Sequence, residues 1–241
     1  MELRISNLKK GFVSADGAPV FQLHISSLHI AAGKCIFLLG HNGSGKSVTV
    51  KLVTGELRAD SGAVDVDAPE VPGQPFFGMV RQNAEESLAM DLTVRENLIV
   101  RRRSRSLSEW LFPHKALDSY VAQALAGHGE LAGKADELCR NLSGGQRQIL
   151  AFACATSQSP CVLVLDEFLS ATDVTATSKL RKSMRRYAKE TPAAVLVVSH
   201  DLEMALSDGD QILILESGTV KRHMERGDPD WSLEYLQKTV V

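Results

Sequence analysis

An octapeptide, Gly40-His-Asn-Gly-Ser-Gly-Lys-Ser47, follows directly on the apolar run Ile36-Phe37-Leu38-Leu39. Glycines at this spacing let the backbone turn tightly and aim successive N–H groups at one anion. A helix that starts there adds its positive end to the same field. The pattern therefore predicts a buried strand, a phosphate-binding loop and a helix, in that order. The helix is expected even though Val48-Thr49-Val50 contains only poor helix formers. Gly40, Asn42, Gly43, Ser44, Gly45, Lys46, Ser47 and Val48 form the expected cradle. Lys46 is placed to reach the outer phosphates, and the Ser47 hydroxyl to ligate Mg²⁺.

Three further runs, Val162–Leu165, Ala194–Val198 and Ile212–Leu215, are apolar without alternation. Strands of that kind are buried on both faces, which is the mark of a parallel sheet covered by helices. Residues 20–30 alternate instead. Their phase slips at Ser26-Ser27, which predicts a bulged strand lying antiparallel to residues 2–8. Between about Gln82 and Pro160, helices are predicted over residues 96–104, 117–125 and 146–156. The fold class expected is α/β, with an antiparallel β subdomain at the N-terminal end and an inserted helical subdomain. The boundaries fall at 1–82 and 160–241 for the α/β core and at 83–159 for the insertion. A later helix has Leu180, Met184, Tyr187 and Ala188 on one face, with Lys179, Arg181, Lys182, Arg185 and Arg186 around them as a solvated surface.

Bulk properties exclude several partners. The net charge is −2, without the basic stripe of a protein that binds bare nucleic acid. No apolar run approaches the roughly 20 residues that span a bilayer, and Met1–Ile5 lacks the apolar core of a secretory signal. The four cysteines have no CxxC spacing. Cys35 and Cys161 lie in strand-like runs and are read as small buried hydrophobes in a reducing, cytoplasmic compartment.

Phosphoryl chemistry needs a carboxylate for the metal and a group to orient the attacking water. Asp166 and Glu167 end a buried strand in Val162-Leu-Val-Leu-Asp-Glu167, and alternation sends their side chains different ways. Asp166 is assigned to the metal and Glu167 to the water. His200 ends another buried strand, and strand C-termini in an open α/β sheet converge on one crevice.

Leu142-Ser-Gly-Gly-Gln-Arg-Gln148 opens a further helix. Ser143 is a good N-cap, and the two glycines expose backbone N–H groups. This LSGGQ stretch, with the cradle and the acidic pair, resembles the signature of the ATP-binding-cassette ATPases, over essentially the whole chain. The resemblance implies a P-loop NTPase (RecA-like) core with ATP and Mg²⁺ as ligands. It implies that Gln82 touches Mg²⁺ and joins the helical lobe to the core. Ser170-Ala-Thr-Asp173 matches the family's D-loop, with Thr172 where Leu is more usual and Asp173 as the matching residue. Glu167 corresponds to the general base and His200 to the residue that contacts the γ-phosphate. Phe12 best matches the aromatic residue that stacks on adenine; Phe21 is the alternative. In the family two ATPs lie between two head-to-tail subunits, each held by one cradle and by the other subunit's Ser143, Gly144, Gly145 and Gln146.

Two functions share these motifs. In the first, the chain is the ATPase subunit of a transporter, peripheral on the inner face of the cell membrane. Its partners are a transmembrane permease subunit and a second ATP-binding subunit. Leu92–Leu98 resembles the segment that faces the permease, and an importer would add a solute-binding protein. In the second, the chain serves a soluble assembly system such as iron–sulfur cluster biogenesis. Arg101-Arg-Arg-Ser-Arg105 with Trp110-Leu-Phe112 is either a solvated turn or a contact with anionic lipid headgroups. A short packing helix is expected over 231–236.

Overall fold

The computed structural model describes residues 1–68, 74–102, 113–170 and 172–240. The chain divides into two compact units, Met1–Ala68 with Ala188–Val241, and Pro69–Tyr187.

The first unit holds β1 (Glu2–Val13), β2 (Pro19–Ile30), β3 (Cys35–Leu39), α1 (Lys46–Val53) and β4 (Ser61–Asp67). From the C-terminal part come β7 (Ala194–Val198), α7 (Leu202–Asp208), β8 (Gln211–Glu216), β9 (Thr219–Glu225) and α8 (Leu233–Val240). Its strands lie in the order β4-β1-β2-β9-β8-β3-β7. β3 runs parallel to both β7 and β8, and its five residues are all buried, as the absence of alternation predicted. β1, β2 and β4 form the antiparallel part.

The phase slip at Ser26-Ser27 is present, but it is not a bulge in β2. The register of β1 on β2 is unbroken from Leu3↔Ile30 to Phe12↔Phe21. Both strands slip together: Ile5 and Leu8 are buried opposite Leu28 and Ile25, with Ser6 and Ser27 paired and exposed between them. Asn7 takes up the strain at φ 47°, and the irregularity falls between β1 and β4, at Ser6–Lys9. The C-terminal helix starts at Leu233, two residues later than expected, and runs on to Val240, burying Leu236 and Val240. Trp231 precedes it, donating its indole N–H to the Leu206 carbonyl at 3.2 Å.

The second unit contains β5 (Phe77–Val80), α2 (Val94–Val100), α3 (Pro113–Leu125), α4 (Gly129–Ala132), α5 (Gly144–Thr156), β6 (Val162–Asp166) and most of α6 (Val174–Glu190). β5 and β6 are parallel. α2 opens on a capping box between Thr93 and Glu96 and is shorter than expected, with Arg101 as its C-cap. Buried Asn97 accepts from Ala89 N–H at 2.8 Å and donates to the Ala89 and Thr93 carbonyls at 3.0 Å each, so one amide fixes the turn before the helix. On α6, Leu180 and Met184 are buried while Lys179, Lys182, Arg185 and Arg186 are exposed. Within the arginine cluster, Arg101 donates to the Ser87 carbonyl and Arg102 lies 5.2 Å from the Tyr120 ring centre. Arg103, Ser104, Arg105, Trp110, Leu111 and Phe112 lie outside the described residues. No helix among the described residues is long and apolar enough to cross a membrane.

All four cysteines are buried and free. Desolvation pushes the Cys154 thiol up to about 12 and the Cys35 thiol higher still. Thiolate is the reactive form, so a thiol reagent at neutral pH is expected to label none of the four in native protein. Denaturant should expose all four. Rapid labelling of the native chain would show that these strands and helices open.

Candidate nucleotide site

In the first unit, β3 delivers the chain into the cradle. Gly40 has φ 150°, and a Cβ there would lie 2.4 Å from the Leu215 carbonyl oxygen; no side chain fits without moving backbone. Ser44 N–H donates to the His41 carbonyl at 3.2 Å, closing the loop. α1 then begins at Lys46 with Gly45 as N-cap, without a side-chain cap and without an acidic residue in its first turn. Its leading amides are therefore left to an external anion.

Lys46 is only 6% exposed. Its ammonium donates to the Gly40 carbonyl at 2.6 Å and to that of His41 at 3.0 Å, so the cation lies across the loop. Ser44 is 3% exposed, and its Oγ is buried without a hydrogen-bond partner among the described residues. A buried hydroxyl in that condition is costly unless a ligand completes it. An orphaned hydroxyl, a loop-spanning ammonium and uncapped helix amides together fit the phosphate chain of a nucleotide. Asn42, Gly43 and Ser47 are exposed, and Val48 is half-buried.

Parallel register places a second predicted residue beside this loop. Leu38 pairs with Val198, so Gly40 and His200, each two residues further on, leave adjacent strands at the same height. His200 is exposed. The next residue, Asp201, caps α7 by accepting from Met204 N–H at 2.8 Å. The two aromatic candidates form a cross-strand pair, Phe12↔Phe21, with ring centres 6.2 Å apart. Phe21 abuts the cradle, since a Cβ on Gly45 would come within 3.0 Å of its Cζ. Phe12 is 37% exposed, with the Lys10 ammonium 5.9 Å from its ring centre.

One supporting residue escaped sequence reasoning. Gly218, in the β8–β9 turn, donates its N–H to the Ser44 carbonyl at 3.0 Å, and its own carbonyl accepts from His24 N–H at 2.7 Å. Its φ is 81°, and a Cβ would fall 1.9 Å from the Gln22 carbonyl oxygen. It ties the cradle to β2. The only signal in the sequence was Ser217-Gly218 between two apolar-containing runs, which reads as an ordinary turn.

In the second unit, β6 ends at half-buried Asp166. Glu167 follows with φ 45°, a left-handed conformation that a non-glycine residue rarely adopts. Its carbonyl accepts from Ser170 N–H at 3.0 Å. Val80 pairs with Leu165, so Gln82 and Glu167, each two residues on, leave adjacent parallel strands together. Gln82 is exposed.

The signature helix α5 is built as expected. Ser143 Oγ accepts from Gln146 N–H at 3.2 Å, and Gln146 Oε1 accepts from Ser143 N–H at 3.1 Å; this is a reciprocal capping box. Gly144 is exposed and Gly145 buried. A Cβ on Gly145 would lie 2.7 Å from that of Ala176 and 3.7 Å from Asp173 Oδ2. Asp173 in turn caps α6, accepting from Ala176 N–H at 2.8 Å. The signature and Asp173 thus come together within one unit.

Gln148 is a second residue whose role the sequence did not reveal. It is 3% exposed and donates to the Arg81 carbonyl at 3.0 Å, immediately before Gln82. Arg147, one residue earlier, forms an ion pair with Glu85. The start of α5 is therefore fastened to the segment that carries Gln82.

A family model described as ABC transporter matches residues 23–170. The chain is 33% identical over 226 residues to the energy-coupling factor transporter ATP-binding protein EcfA1 of Streptococcus thermophilus, covering 91% of this chain and 78% of that one. It is 37% identical over 204 residues to the sulfate/thiosulfate import ATP-binding protein CysA of Bordetella parapertussis, covering 81% of this chain and 55% of that one. Among solved structures, the ATP-binding cassette MJ0796, a dimer in a post-hydrolysis state with ADP and Pi, has a TM-score of 0.75 at 22% identity, covering 93% of this chain and 98% of that one. The cbiO1 protein of Clostridium perfringens, part of the ABC transporter complex cbiONQ, has a TM-score of 0.77 at 22% identity, covering 98% and 93%. The cradle, the capped signature helix, the shared fold and these identities lead to one conclusion: the chain belongs to the ABC transporter family, as an ATP-binding and ATP-hydrolysing subunit.

Proposed function

We propose that this chain drives solute import through a separate membrane permease, as a peripheral subunit on the inner face of the membrane. ATP lies with its phosphates in Gly40–Val48 and its adenine on Phe12, beside Phe21. Ser47, Asp166 and Gln82 would hold Mg²⁺, which neutralises charge on the phosphates when bound. Glu167 takes a proton from the attacking water, and His200 holds the γ-phosphate by hydrogen bonding. Residues 83–159 act as a helical lobe inserted into an ATP-binding core of 1–82 and 160–241.

The observation that carries this reading is the presence of two helix starts suited to anions: α1 behind Gly45 and α5 behind Ser143. One chain has one of each. A second cassette, arranged head to tail, supplies Ser143, Gly144, Gly145 and Gln146 to the first chain's ATP, with Asp173 at the same junction. The γ-phosphate then bridges two surfaces, and its removal weakens their contact. ATP turnover becomes a cycle of closure and release that a permease can use. The names of the relatives, an energy-coupling factor transporter and a sulfate/thiosulfate import system, support import as the direction.

Affinity purification from detergent-solubilised native membranes tests the reading. A polytopic membrane protein at a one-to-one ratio with the cassette is the expected result, and a solute-binding protein with it would support import. Recovery of a soluble scaffold alone, with nothing from membranes, would assign the chain to an assembly system.

A further inference from the structure

A cavity of about 430 Å³ opens in the second unit and is walled by α6, α5 and the turn into α4. Three cations of α6 line it: Lys179, Lys182 and Arg186. Their spacing of three and four residues puts them on one helix face. Lys179 is paired with Glu130, also a lining residue. Lys182 has no acidic partner among the described residues. The Arg186 guanidinium lies against Gly127, where a Cβ would come within 2.2 Å of Nη2; the bare backbone there makes room for it.

Two polar side chains also lie in the inner wall. His128 and Ser183 line the cavity, and each is 9% exposed. The side chains of both lack a hydrogen-bond partner among the described residues. The His128 ring instead meets Phe152 edge-on, 6.1 Å between centres. The polar atoms of His128 and Ser183 are not sealed in the interior; they open to the cavity beneath the rim of cations, where a ligand can hydrogen-bond them. An oxyanion would supply acceptors to the Ser183 hydroxyl and the imidazole and a counter-charge to Lys182, with the Arg186 guanidinium at the same rim. Ile149 contributes an apolar wall, and the volume is within the range of small-molecule sites.

We propose that this cavity binds a small organic oxyanion, a phosphate monoester or a carboxylate, independently of the ATP cradle. The site would be an effector site within the second unit. It does not depend on the transport reading.

The test is a titration of the full chain, its cradle first saturated with ADP, with glycerol 3-phosphate in one arm and citrate in the other. Binding is followed by the NMR signals of the His128 ring, assigned with His128→Gln. Saturable movement of those signals is expected, and the arm that saturates first separates phosphate from carboxylate. Lys182→Gln with Arg186→Gln should weaken binding about tenfold, as expected for loss of charged hydrogen bonds. Both residues are exposed. Should the double variant not fold, as judged by its thermal midpoint, Lys182→Gln alone serves the same purpose. His128 signals that neither anion moves, or affinities that the substitutions leave unchanged, would overturn the proposal.

Discussion

Replacing Glu167 by Gln leaves ATP binding intact and lowers the hydrolysis rate by about 10²–10⁴-fold, the range expected for loss of a general base. The amide keeps the size and hydrogen-bonding reach of the carboxylate but cannot accept the proton of water. The fold should tolerate it. Glu167 is held at φ 45° by its backbone, a conformation that costs on the order of 1–3 kcal/mol, and that cost is the same for either side chain. Binding measured with a fluorescent ATP analogue should match the wild type, while phosphate release nearly stops. Chains locked with ATP should also accumulate as a closed dimer on size-exclusion chromatography. A variant that hydrolyses at close to the wild-type rate would remove Glu167 from the role of base.

How far the sequence revealed this arrangement depended on burial. β3, β6, β7 and β8 were legible because parallel strands covered on both faces cannot alternate, and their interior residues are all buried. β4, β5 and β9 were not. β4, Ser-Gly-Ala-Val-Asp-Val-Asp, has no fully buried residue, and β9, Thr-Val-Lys-Arg-His-Met-Glu, buries only Met224. β5 has four residues including Gly78, too short a run to signal a strand. Gly78 is nonetheless required there, since a Cβ would meet the Ala155 carbonyl at 2.4 Å. The slip at Ser26-Ser27 was visible but misassigned. Alternation in one strand cannot tell a bulge from a slip that its neighbour shares.

The site shows the same division. Motif chemistry marked the cradle, the acidic pair, His200 and the signature, because each demands particular side chains or glycines in fixed order. The groups that hold those motifs in place were hidden, because they act on backbone atoms far away in sequence. Gln148 reaches the Arg81 carbonyl, and Gly218 the Ser44 carbonyl. Neither partner can be inferred from residue type. The left-handed backbone at Glu167 was equally hidden, since glutamate gives no sign of it.

The central claim is that each ATP is held by the cradle of one chain and the signature of another, and pairing two crippled chains tests it. Lys46→Ala removes the ammonium that spans the cradle and should abolish turnover alone. Ser143→Arg places a bulky cation at the exposed N-cap of α5. It should likewise abolish turnover, at about 1 kcal/mol of stability for the lost cap. In a head-to-tail pair of the two variants, one site combines both lesions and the other has neither. An equal mixture should thus recover about a quarter of wild-type activity, from random pairing into a twofold assembly with independent sites. The measurement is steady-state phosphate release from each variant and from the mixture, at equal total protein and with the membrane partner present. Recovery well above the sum of the separate variants is the predicted result. A mixture no more active than that sum would contradict a shared site.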